Sequence, residues 1–291
     1  MNNYKTKVLL KKKNIQLFLN KKSKLDKRKI IQMSYDIRSG HAIKIFSKRK
    51  VFFKKYIDEV VSLISKNFFG VKTILDCGSG ELLTTNLLSE KMKGLDKLYC
   101  FDFSFKRLLD GKNFSNKVSF KSKSKLEIFC ADMFNIPLPD NSIDLITTFQ
   151  SLEPNGSYEL KLIKELLRVS KKGLFLMEPD YENANLKQKK RMRKFNYVKN
   201  LPKVFENLKV KFKVIQMKNN GNNLNRCSAF IVYKKKTKKN NKPYFIDPAN
   251  KKKLNKMKDF LYEKDDGNLY FSFKSIPILI KEKALFAPFL K

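Results

Sequence analysis

The residues best placed to do chemistry in this chain are a glycine turn and a series of carboxylates at the ends of short apolar runs. In ILDCGSGELL (Ile74–Leu83) an apolar stretch ends at Asp76, Gly78 and Gly80 follow, and a helical pattern begins. Neither glycine carries a Cβ, so the backbone there can turn sharply and come close to a ligand. Ser79 is placed to cap a helix expected from Glu81 to Met92 and closed by Gly94. Strand, tight glycine turn and helix in that order open a dinucleotide-type binding unit, although Leu83 stands where the third glycine of the pattern would be. A second strand, LYCFDFS (Leu98–Ser104), carries Asp102 near its end. A carboxylate there can accept hydrogen bonds from both hydroxyls of a ribose.

Two more strands follow. LEIFC (Leu126–Cys130) runs into Ala131-Asp132-Met133, and IDLITTF (Ile143–Phe149) is preceded by the turn Pro139-Asp140-Asn141. In doubly wound sheets ligands bind beyond the carboxyl ends of the strands. The loop FQSLEPNGSYE (Phe149–Glu159) is therefore expected over the crevice, with Gln150, Glu153 and Asn155 as its polar candidates. A helix from Tyr158 to Val169 and a fifth strand, Leu174–Pro179, come next, and Glu178 and Asp180 stand at that strand's end. Glu153 and Glu178 have the chemistry to deprotonate a hydroxyl or orient an amine, or simply to cap the next helix.

These residues need elements to hold them. KVFFKKYIDEVVSLISKNFFG repeats Phe53, Tyr56, Ile57, Val60, Val61 and Ile64 at spacings of three and four, a helix with one face on the core. After the fifth strand, a basic helical segment at 186–194 leads to KVKFKVIQM and RCSAFIVYKK, alternating strands joined by NNGNNLN. Residues 1–33 form a basic arm whose apolar spacing suits neither helix nor strand, expected as a solvated or loosely packed extension, with an interfacial membrane segment as the alternative. His41 is the sole histidine and lies outside any recognisable catalytic motif, which favours a structural role over that of a general base.

The series ILDCGSG, FDFS and CADMFNIPLPDNSIDLITT resembles the class I S-adenosylmethionine-dependent methyltransferases of the methyltransferase-11 kind, over roughly residues 70–235. The resemblance implies an α/β fold: a Rossmann-like sheet with a closing antiparallel hairpin, plus an N-terminal extension and a small C-terminal β module. It implies S-adenosylmethionine as cofactor, with Asp76, Gly78, Ser79 and Gly80 at the methionine end, Asp102 at the ribose, and Asp132 with Met133 at the adenine. Phe103 and Phe149 would also line the cofactor. Tyr35 would come from an N-terminal lid to lie near the sulfonium, where an aromatic face favours a cation. Gln150, Glu153 and Glu178 are the candidate catalytic residues. Residues 34–236 would form the methyltransferase domain.

Beyond the charged linker KKKTKKNNK, residues 243–291 resemble the small zinc-ribbon-like modules found as methyltransferase partners. No cysteine lies beyond Cys227, so a cysteine-built zinc site cannot form, and no metal is expected anywhere in the chain. DFLYE and LYFSF around Asp265-Asp266-Gly267 read as a hairpin, with Phe245, Leu261, Tyr262, Tyr270, Phe271, Ile276, Ile278 and Leu279 as its core.

A formal charge of +37 is extreme and admits a nucleic-acid partner. The lysines are spread through almost every helix and loop, however, with no RNA-recognition pattern among them, which favours compositional drift. A small-molecule or sugar-type O or N acceptor is expected. An RNA methyltransferase and a non-catalytic cofactor-binding scaffold are the alternatives. Four cysteines without a C-x-x-C pair fit free thiols in a reducing, cytoplasmic setting, and no apolar run is long enough to span a membrane.

Overall fold

The computed structural model describes residues 15–22, 24–118, 120, 125–219, 224–235 and 240–290. The start of the basic arm, most of the NNGNNLN loop and the middle of the charged linker lie outside these. Helices α1 (Ile15–Lys22), α2 (Lys27–Ile37), α3 (His41–Lys48) and α4 (Lys50–Asn67) precede the first strand. The second half of the arm thus departs from the expectation of an irregular extension. Ile15 and Leu19 of α1 bury against Ile30 of α2, with Met33 and Ile37 packed around them. Each short helix covers apolar residues that neither could bury alone, a pairing that spacing within one segment does not reveal.

Strands β1 (Thr73–Cys77), β2 (Lys97–Asp102), β3 (Leu126–Ala131), β4 (Ile143–Phe149) and β5 (Ser170–Pro179) run parallel, in the spatial order β5-β4-β1-β2-β3. They read as continuous apolar runs because both faces of a parallel sheet are covered. Leu75, Phe101, Phe129 and Ile146 pack into one core cluster, and Ile74, Leu98, Leu145 and Phe175 into another. Helices α5 (Leu83–Lys91), α6 (Phe105–Val118), α7 (Glu159–Val169), α8 (Leu186–Lys194) and α9 (Leu201–Asn207) complete the α/β architecture. β6 (Lys211–Gln216) and β7 (Cys227–Tyr233) add the antiparallel hairpin beside β5. No helix among the described residues is long and apolar enough to cross a membrane. The four cysteines are buried free thiols.

The C-terminal strands β8 (Asn255–Lys256), β9 (Phe260–Tyr262), β10 (Asn268–Phe273), β11 (Ile276–Leu279) and β12 (Leu285–Phe286) continue the same sheet. β11 pairs in parallel with β3, Ile278 opposite Cys130 and Leu279 opposite Ala131, so the β3 edge of the parallel sheet is covered. Two buried carboxylates staple this region. Asp247 accepts from the Tyr270 hydroxyl at 2.9 Å and from Asn268 Nδ2 at 2.8 Å, and Glu263 accepts from the amides of Asp265 and Asp266 in the β9–β10 turn. Phe245 packs edge-on against Phe129 of β3, with ring centroids 5.1 Å apart. Phe271 departs from its expected core position and is 48% exposed, because strand alternation turns Tyr270 inward and its neighbour out. Among the described residues no group of histidine, cysteine and carboxylate side chains could hold a metal ion.

Candidate active site

The turn after β1 is tighter than a capped helix start. Gly78, Gly80 and Leu82 all have positive φ (74°, 54° and 60°), and α5 begins only at Leu83. Ser79 therefore does not cap that helix. Its hydroxyl donates to Phe101 O at 3.1 Å, and the amides of Gly78 and Ser79 reach the same carbonyl at 2.8 and 2.9 Å. The turn is thus stitched to the end of β2. Asp102 completes the stitch: one carboxylate oxygen accepts from the Gly80 amide and the other from Ser104, both at 2.8 Å. A Cβ on Gly78 would lie 2.3 Å from Ser151 Cβ, and one on Gly80 would lie 2.4 Å from the Arg107 guanidinium. Glycine is required at both places by conformation and by space.

A cavity of about 550 Å³ opens over the carboxyl ends of β1 to β5, within the usual size of small-molecule sites. The turn contributes Gly78, Ser79 and Gly80 to its wall, and β2 contributes Asp102 and Phe103. Asp132 and Met133 follow from β3, Phe149, Gln150 and Glu153 from the end of β4, and Tyr35 from α2. His41 is exposed at the start of α3, outside this lining.

Asp76, Glu178 and Asp180 do not reach the cavity wall. Asp76 lies beneath the turn, accepting from the hydroxyls of Thr85 and Thr147, and burial pushes its carboxyl up to about 6. Glu178, expected at the strand end over the crevice as a proton acceptor or a helix cap, serves as neither. Its Oε1 instead accepts from the amides of Ser151 and Leu152, at 3.0 and 3.1 Å, and so holds the loop after β4 from below. Burial raises its carboxyl to about 8, against those two hydrogen bonds, so at neutral pH it is the protonated acid. Asp180 is turned toward β7, where the Ser228 hydroxyl donates to it at 2.6 Å.

Among the three candidate catalytic residues, Gln150 and Glu153 do face the cavity. Gln150 is held at φ 57°, an uncommon conformation for a residue with a side chain, by its amide's bond to Met177 O at 2.8 Å. Burial lifts the Glu153 carboxyl above the ordinary range, partly offset by a hydrogen bond from Tyr197, the charge of Arg191 and a further hydrogen bond from Asn225. A base raised in this way is better matched to proton abstraction near neutral pH. The Tyr35 hydroxyl feels the charges of Glu153, Arg107 and Asp102, and burial pushes its pKa well up, so it stays protonated.

Several site residues carry no sequence signal. Glu81 is buried; it accepts from the amides of Gly40 and Ile43 at the start of α3, at 3.3 and 3.0 Å, and from Arg107 Nε at 3.2 Å. It ties the N-terminal helices to the glycine turn. Arg107 in turn lies over the Tyr35 ring, 5.2 Å from its centroid. Gly111 lets α6 approach the Glu81 backbone, where a Cβ would lie 2.5 Å from the carbonyl carbon. Arg28 pairs with Asp132, and Arg49 stands at the junction of α3 and α4. These contacts join segments far apart in the chain, and only a helix-end or charge pattern could have hinted at them.

The donor set suits S-adenosylmethionine: the glycine turn brings backbone without side chains to the cavity wall, and Asp102 presents a carboxylate beside it. Residues 75–177 match the family model described as methyltransferase domain. No curated protein sequence matches the chain. Among solved structures, magnesium protoporphyrin IX methyltransferase from Synechocystis PCC 6803, with SAH bound, is 13% identical at a TM-score of 0.51, over 72% of this chain and 100% of that one. A SAM-dependent methyltransferase from Aquifex aeolicus is 21% identical at a TM-score of 0.43, over 62% of this chain and 96% of that one. The Synechocystis structure shares the fold, and the family match, which covers the strands that build the cavity, marks residues 75–177 as a methyltransferase domain.

Proposed function

We propose that the protein methylates an oxygen or nitrogen atom of a small-molecule acceptor bound beside the cofactor. The observation that carries this reading is one continuous cavity, walled at one end by the glycine turn and Asp102 and at the other by Gln150, Glu153 and the aromatic residues of α4. Bound S-adenosylmethionine supplies an already activated methyl group on a sulfonium. The protein's contribution is then chiefly alignment, worth roughly 7–11 kcal/mol when reactants are well placed. Glu153 takes the acceptor's proton where the acceptor is a hydroxyl. Tyr35 and Phe149 offer aromatic surface to the cation, and Gln150 orients the acceptor. Glu178 positions the loop that carries Gln150 and Glu153.

The wall beyond β4 is aromatic and apolar, which supports an acceptor with an apolar body over a polyhydroxylated sugar. Residues 243–291 we read as a built-in counterpart of the zinc-ribbon-like modules they resemble, stapled internally by Asp247 and Glu263 and holding the β3 edge through β11 and Phe245.

Isothermal titration with S-adenosylhomocysteine and transfer of a labelled methyl group to a panel of small acceptors test the reading. Micromolar binding and labelled small product are expected. Folded protein giving no heat at millimolar ligand would overturn the assignment.

A further inference from the structure

Resting on the function just proposed, the unclaimed half of the cavity points to a particular acceptor. The sheet order divides the wall. The ends of β1, β2 and β3 carry the glycine turn, Asp102 and Asp132; the ends of β4 and β5 carry Phe149 and Met177. Over β4 and β5 lies the inner face of α4, which contributes Phe52, Phe53 and Tyr56. The Phe52 and Tyr56 rings stack with centroids 6.2 Å apart and an interplanar angle of 21°, and Tyr56 meets Phe149 edge-on at 6.4 Å. Such a wall gains most from a flat ring, through burial and through offset or edge-to-face contact.

Charge adds a second constraint. Arg28, Arg49 and Arg107 line the cavity. Arg28 is paired with Asp132, and Arg107 with Glu81 and Asp102. Among the described residues Arg49 has no carboxylate partner, and its guanidinium lies over the Phe52 ring, 4.4 Å from the centroid. It is exposed, at the corner where α3 ends and α4 begins. A guanidinium laid on an aromatic face keeps its fork of N–H donors in one plane, ready for a carboxylate or phosphate.

We propose that the acceptor is a small aromatic compound bearing an anionic group, its ring against Phe52, Tyr56 and Phe149 and its anion on Arg49. The methylated atom then lies on the ring side nearer Gln150 and Glu153, and Arg49 sets specificity without touching the cofactor.

The test uses the full-length protein saturated with S-adenosylhomocysteine, titrated with 2-naphthoate, 2-naphthyl phosphate and 2-naphthamide. Both anions are expected to bind at least about tenfold more tightly than the uncharged amide, the scale of a hydrogen bond to a charged group. Arg49→Gln should remove that preference, leave the amide's affinity unchanged and leave S-adenosylhomocysteine binding unchanged. Arg49→Lys should restore part of the preference. Equal binding of naphthoate and naphthamide to the wild type, or naphthoate binding that survives Arg49→Gln, overturns the proposal. Binding of the cofactor product with no binding of any naphthyl probe also overturns it and leaves the methyltransferase reading standing. Naphthoate binding without S-adenosylhomocysteine binding would sink the methyltransferase reading instead.

Discussion

The guanidinium of Arg28, on α2, is ion-paired with the carboxylate of Asp132 at the end of β3 and lies between the rings of Phe103 and Phe134, 5.4 and 5.6 Å from their centroids. It fills the slot that the family resemblance gives to the adenine. Around it, Gln32 donates to Phe103 O at 3.2 Å and Lys27 to Gly156 O at 3.3 Å, so α2 lies across the strand ends like a strap.

An adenine entering this slot must take Asp132 from Arg28. Arg28→Ala should therefore tighten S-adenosylhomocysteine binding by roughly 3–10-fold, on the scale of about 1 kcal/mol for a partly exposed ion pair. Titration calorimetry on variant and wild type reads this directly. Weaker binding by the variant would show that Arg28 stays beside the bound cofactor.

Gly78→Ala should abolish cofactor binding at millimolar ligand and lower stability by roughly 1–3 kcal/mol, since φ is +74° and the new methyl would meet Ser151 Cβ. Thermal melts with and without S-adenosylhomocysteine separate the two effects. A ligand-induced Tm shift equal to that of the wild type would contradict the cradle role.

Glu153→Gln should lower kcat by roughly 10²–10⁴ for a hydroxyl acceptor, with little change in KM. Burial raises the Glu153 carboxyl, so wild-type rate should climb as pH rises through that raised value, and the limb should vanish in the variant. A pH–rate profile unchanged by the substitution would remove Glu153 from proton transfer.

Glu178 is protonated in the folded protein up to about pH 8 but ionises near 4.5 when unfolded. The folded state binds the extra proton, so this contribution to stability is full below pH 4.5 and is lost as pH rises through 8. Glu178→Gln keeps an acceptor for the Ser151 and Leu152 amides and cannot ionise. Its stability relative to wild type should rise with pH across that window, by up to about 1.4 kcal/mol per unit. Denaturant melts from pH 5 to 9 with parallel curves for both proteins would rule out a buried neutral acid.

If compositional drift explains the net charge of +37, RNA binding is purely electrostatic. Affinity for total RNA should then fall by roughly a thousandfold between about 50 and 200 mM salt when six or more phosphates are contacted. Filter binding with heparin as competitor measures it. One RNA species surviving competition at the higher salt would favour an RNA acceptor.

The sequence by itself determined the strands, the glycine turn and the carboxylates at the strand ends. Each rests on a few contiguous residues: short apolar runs bounded by turn residues, as a strand buried on both faces requires, and glycines at positions where φ is positive. It also placed Gln150 and Glu153 over the crevice, since the end of a parallel strand faces the ligand side. Tertiary structure decided what each side chain does there. Glu178 sits one residue before the end of β5, yet it became a buried acid under the loop after β4, because the Ser151 and Leu152 amides of that loop close over its carboxyl. Ser79 gave its hydroxyl to Phe101 O once the turn extended to Leu82. Glu81 reaches the amides of Gly40 and Ile43, separated from it by 41 and 38 residues, and Arg28 reaches Asp132 from a different helix. Such pairs exist only after the N-terminal helices dock, and docking is driven by apolar residues whose partners lie on other segments.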